Sequence, residues 1–149
     1  MSSLAHKIIV PATHMKLKSK SNFRMDAPGK AEWKKLQAWG EELKAWAMDY
    51  VTNDWPTLDL FQGDGCAVFS CVANSKLDSG NFSKSVLDIF QGMLYSDDAR
   101  VMATLTQQVT EGSGFVLGFG VPVDNDPATL AAACWELHQQ VLATMLPTT

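Results

Sequence analysis

The stretch from Cys66 to Val123 restricts the fold more than any other part of the chain, because strand patterns stand on both sides of a helix pattern. CAVFSCVANS (66–75) reads as a strand. GNFSKSVLDIFQGM (80–93) repeats its apolar residues at helical spacing and reaches a stop at Gly92. ARVMATLTQQV (99–109) and FVLGFGVPV (115–123) read as strands again, and the EGSG turn between them predicts that these two form a hairpin. A helix between strands must pack its apolar side on a sheet.

The flanking sequence extends this pattern. HKIIVPAT (6–13) reads as a strand stopped near Pro11, and APGKAEWKKLQAWGEELKAWAMDYV (27–51) as a long helix with Pro28 in its first turn. Trp33, Leu36, Gly40, Leu43, Ala47 and Tyr50 make its apolar stripe, which Trp39 and Trp46 widen, so these tryptophans are assigned to the core or to a contact between subunits. NDWPTLDLFQGDG (53–65) reads as a connection. A last helix spans 127–146, with Asp126 as N-cap and Pro127 in the first helical position. The order β-α-β-α-β-β-α predicts an α+β chain: one small domain over 1–149, with a mixed sheet and packed helices.

The helix at 80–93 has a second, polar face. Phe82, Val86, Ile89, Phe90 and Met93 share one side, and Asn81, Lys84, Ser85 and Asp88 the other. Acids bracket it: Asp78 before, Asp97 and Asp98 after. Two readings stay open. In one, these are solvated acids with a weak Lys84–Asp88 pair. In the other, the strands flanking the helix lie side by side and bring Asp78, Lys84 and Asp98 together at one edge. Carboxylates gathered in that way repel unless a cation joins them. Mg²⁺ is held by one or two carboxylates together with water and phosphate oxygens, and a nearby lysine would offset charge on an attacked phosphate.

Charge is unevenly spread. The chain of 149 residues has net charge −4, yet eight of its 12 Lys and Arg residues lie in the first 35 positions, where only Asp26 and Glu32 oppose them. A basic loop at 14–25, with Lys16, Lys18, Lys20 and Arg24, therefore suggests a polyanion met by one face. Cys66, Cys71 and Cys134 form an odd set without CxxC spacing, which fits reduced thiols. Cys134 and His138 are four apart, but two ligands fall short of the four of a structural zinc site. No apolar run reaches the length of a membrane span, and the N-terminus has no leader pattern, so the expectation is a cytoplasmic protein without a membrane partner.

Residues 78–101 resemble the signature of RusA-type Holliday junction resolvases, a family of small homodimeric endonucleases frequent in prophages. The family pattern runs D-x-D-N-x-x-K, an apolar helix with an aspartate, then G-x-x-Y/W-x-D-D-x-x-V. Asp78, Asn81, Lys84, Asp88, Gly92, Tyr95, Asp97, Asp98 and Val101 match it in order and spacing. PGKAEWKKLQAW is similar to the family's first helix, and the basic loop falls where the family contacts DNA. The resemblance implies a Mg²⁺-dependent (or Mn²⁺-dependent) endonuclease of DNA recombination and repair that cuts four-way junctions as a homodimer. Asp78 and Asp98 would be metal ligands, Lys84 catalytic, and Asn81, Asp97 and Asp88 supporting polar groups. One position departs from the pattern: Gly80 stands where the family has a second ligand aspartate. That departure raises the alternative of a catalytically silent relative that grips branched DNA without cutting it.

Overall fold

Every residue of the strand Ala67–Ala73 is buried, the pattern of a strand covered on both faces. In the computed structural model it is β2, an inner strand of a four-stranded mixed sheet. The structure describes residues 2–16, 27–53, 55, 66–74 and 79–147, with backbone alone at 27, 28, 79–82 and 98. The elements are β1 (Leu4–Ala12), α1 (Ala27–Met48), β2, α2 (Ser79–Phe90), β3 (Val101–Gln108), β4 (Phe115–Pro122) and α3 (Pro127–Met145). The fold is α+β, in the order β-α-β-α-β-β-α.

The sheet order is β1-β4-β2-β3, with β4 antiparallel to both β1 and β2, and β3 parallel to β2. The hairpin expected between β3 and β4 does not form, because β2 lies between them. The connection 109–114 instead passes over the end of β2, and Asn74 ties it down: its backbone N–H donates to the Gly114 carbonyl (3.0 Å) and its Nδ2 to the Gly112 carbonyl (2.8 Å). Val109 N–H donates in turn to the Ala73 carbonyl (2.9 Å). Gly114 takes φ +68°, and a Cβ there would stand 2.5 Å from the Ala12 carbonyl oxygen, so the turn needs glycine.

Alternation along β4 assigns the two layers. Phe115, Leu117 and Phe119 point to the side of α1 and α2, where they meet Ile8, Val10, Trp39, Leu43, Val86 and Phe90. Val116 faces α3, packing with Val68, Val72, Leu137 and Val141. Gly118 also faces α3: a Cβ there would come within 2.5 Å of Val141 Cγ2, so the missing side chain sets how closely the helix approaches the sheet. Asp126 caps α3 as expected, its carboxylate accepting from Ala128 N–H at 3.1 Å, with Pro127 next in line.

The tryptophans of α1 separate. Trp39 is buried against the Phe115 ring, and Trp46 donates its indole N–H to the Pro11 carbonyl at 2.7 Å. Trp33, assigned from periodicity to the same apolar stripe, is 47% exposed and so stands outside the core. It lies in the first turns of the helix, before the residues that reach the sheet. No helix among the described residues is long and apolar enough to cross a membrane.

Candidate functional site

Residues 79–101 form α2 and the connection to β3 in a parallel β2–α2–β3 crossover. α2 buries Val86 and Phe90, as its apolar spacing requires, while Ile89 and Met93 pack at the rim of that core. Its last turn closes at Gly92, whose φ of +86° lets the chain reverse. Met93 and Leu94 N–H groups both return to the Phe90 carbonyl at 3.0 Å, and Gly92 N–H donates to the Tyr95 carbonyl at 2.7 Å. Tyr95 is fully buried, and its hydroxyl donates to the Leu87 carbonyl, back inside the helix. Trp55 locks the same loop by donating its indole N–H to the Leu94 carbonyl at 3.1 Å.

Asp97 follows directly. Its carboxylate accepts from Ala99 N–H at 2.9 Å and its carbonyl from Arg100 N–H at 2.9 Å. It thereby starts the short 3₁₀ turn Asp98–Arg100, which delivers the chain to Val101 and β3. Much of the G-x-x-Y-x-D-D-x-x-V run is thus accounted for by the fold, as a left-handed stop, a buried ring, a capped turn and a strand start. Asp97 is expected as a supporting polar group; its turn-starting geometry follows in the sequence only from the general preference of aspartate for such positions.

Of the polar residues of α2, Lys84 is exposed. Ser85 is buried, 4% exposed, rather than on a solvated face. Asp88 is half-buried and lines a groove of about 650 Å³ between α1 and α2, opposite Gln37, Glu41 and Lys44. Gly40 lets the helices meet, since a Cβ there would lie 3.3 Å from Ile89 Cγ1. Asn81 and Gly80 fall in the first turn of α2, and Asp98 opens the 3₁₀ turn; the side chains of Asn81 and Asp98 lie outside the described part of the structure. Asp78 is outside the described residues, as are Lys18, Lys20 and Arg24, whereas Lys16 is exposed just beyond β1.

β2 and β3 do lie side by side, as a shared edge would require, but they run in parallel. Ala67 pairs with Val101 and Ala73 with Gln108. In this register the chain leaves β2 at one end of the sheet and enters β3 at the other, about 20 Å away at ~3.3 Å per residue. Adjacency of the strands therefore does not by itself carry Asp78 to Asp98. Among the described residues, no three His, Cys, Asp or Glu side chains stand together as a metal site.

Cys134 and His138 have other partners. The Cys134 thiol donates to the Phe69 carbonyl at 3.5 Å. His138 bridges the helix to two strands, with Nδ1 2.7 Å from Ser70 Oγ and Nε2 2.7 Å from Gln107 Oε1. A glutamine oxygen only accepts, so Nε2 carries the proton and Ser70 donates to Nδ1. Burial lowers the His138 pKa, in keeping with a neutral ring. Burial also raises all three thiols, Cys71 farthest; Asp124 adds to the rise at Cys66, and the bond to Phe69 partly opposes it at Cys134. These are protonated, unreactive cysteines.

Compared with known proteins, the chain finds no matching family model and no similar curated protein.

Proposed function

We propose that this chain is a RusA-type protein of branched DNA: a metal-dependent, structure-selective endonuclease that cuts phosphodiester bonds in four-way junctions as a homodimer. The observation that carries this reading is the match of nine residues from Asp78 to Val101, in order and with fixed gaps. The segregation of cationic residues toward the N-terminus of an acidic chain supports it.

Lys84, exposed on α2, is the residue proposed to offset charge on the attacked phosphate. Mg²⁺, with Mn²⁺ as a substitute, is the cofactor of this reading, and Asp78 and Asp98 are its proposed ligands. The donor set is incomplete, because Gly80 offers no oxygen where the family has a carboxylate, and Asp97 is engaged in capping. Mg²⁺ depends on such oxygens for both charge and coordination.

Gly80 favours a second reading, a silent relative that binds junctions without cutting them. Incubation of a labelled synthetic four-way junction with Mg²⁺ or Mn²⁺ separates the two, with Asp98→Asn as the control. Symmetric nicking that disappears in the control supports the endonuclease. Junction-selective binding without nicking supports the silent relative, and Gly80→Asp is then the variant in which cleavage is expected to return. Absence of junction-selective binding in any metal rejects both.

A further inference from the structure

The first turns of α1 expose a tryptophan among lysines, an arrangement that the packing of the fold does not require. Trp33 is 47% exposed although two other tryptophans of the same helix are largely covered. Lys30 and Lys34 lie three residues before it and one after, four apart and both exposed, so all three side chains share one side of the helix. Glu32, two positions from each lysine, faces away from them. Like charges at that spacing disfavour a helix by a few tenths of a kcal/mol, and among the described residues neither lysine has an ion pair to offset the repulsion. The remainder of the protein is strongly acidic, so these cations are segregated rather than balanced.

We propose that Lys30, Trp33 and Lys34 form a binding surface for single-stranded or unstacked nucleic acid, with the indole stacking on a base and the lysines meeting the flanking phosphates. An aromatic face flanked by cations is what holds an unpaired strand, since every base has a face to stack and every linkage a charge. The occupant is anionic because the surface is cationic, and it has flat apolar groups because the exposed apolar side chain is an indole. This inference rests on the branched-DNA reading, where a junction supplies unstacked nucleotides, and extends it to residues on the first helix.

The test is fluorescence anisotropy with a labelled 12-nucleotide oligo(dT) and a labelled four-way junction, each titrated over a range of salt. Trp33→Ala is expected to weaken oligo(dT) binding on the order of tenfold, with Trp33→Phe retaining most of it and both leaving the salt slope unchanged. Lys30→Gln combined with Lys34→Gln is expected to lower the single-strand salt slope by about 1.4, at ~0.7 for each cation. Junction binding by the wild type with Trp33→Ala indistinguishable on both DNAs overturns the surface and leaves the branched-DNA reading standing. A fall in affinity that tracks a change in sedimentation from dimer to monomer also overturns it, assigning Trp33 to contact between copies. A wild-type protein that binds neither DNA rejects the branched-DNA reading itself, and the surface with it.

Discussion

Ser70 is a hydroxyl in the middle of an all-buried strand, and its position is tolerable because it donates a hydrogen bond to His138 Nδ1. The histidine in turn needs Gln107, so one helix and two strands are joined through a single ring. Its folded-state pKa is depressed, which means that the unfolded chain binds the proton more readily. The stability from the neutral ring is complete above the unfolded histidine value of ~6.5 and is lost as pH falls below it, until the folded ring also protonates. His138→Gln is expected to lower stability at pH 8 by about 1–3 kcal/mol, from the network left unsatisfied. That difference should shrink as urea midpoints are measured at pH values descending from 7 to 5. A constant difference would show that His138 does not titrate on unfolding. Asp97 invites a simpler comparison. As a cap it should tolerate Asn and resist Ala, with Asp97→Ala costing about 1 kcal/mol in urea denaturation and Asp97→Asn only a few tenths. Where the wild type cleaves junctions, cleavage by stable Asp97→Asn would identify this acid as structural, and its loss as chemical.

At the scale of elements, periodicity located each strand and helix to within a few residues but misjudged one neighbour relation. EGSG between two strand patterns reads as a hairpin turn, and turn chemistry carries no information about a third strand inserted between the two. The information was in β2. CAVFSCVA is apolar without alternation, the sign of an inner strand, whereas VMATLTQQ mixes in threonine and glutamine, the sign of an edge. Placing β2 inside leaves the loop at 109–114 to cross its end. β4 shows a similar division, since FVLGFGVP reads as a buried strand, but its glycines acquire meaning only once α3 is docked. Gly118→Ala should force the α3 side chains Val141 and Leu137 outward, because the added Cβ would lie 2.5 and 3.1 Å from them. The expected cost is about 1–3 kcal/mol in thermal or urea unfolding, typical of overpacking. Gly120→Ala should cost less, because the nearest obstacle is the movable end of Leu4.

At the scale of the whole molecule, the candidate site is less legible than the fold, for a topological reason. In sequence, Asp78 and Asp98 flank the helix inside one strand–helix–strand unit, and parallel pairing keeps the end of β2 and the start of β3 apart. Whether acids in such a unit meet depends on the connections, which carry no periodic signal; the family likeness alone joined them. Charge is different, because its segregation survives any detail of the connections. Eight of the 12 cationic side chains lie in the first 35 residues, while the remainder of the chain carries a large excess of acids. An acidic protein of that kind should meet DNA only through its basic part, with counterions released from few phosphates. Lys18→Gln, Lys20→Gln and Arg24→Gln combined should therefore lower the slope of log affinity against log salt by about 2.7 on duplex arms, at ~0.9 for each phosphate no longer neutralised. Affinity at low salt should fall steeply in the same variant, while the urea midpoint stays near that of the wild type. Neutralising Lys44, which lines the α1–α2 groove beyond the basic segment, should leave the slope unchanged. A drop of about 0.9 on neutralising Lys44 alone would mean that DNA lies across the groove, and that the basic loop shares the binding with the helices.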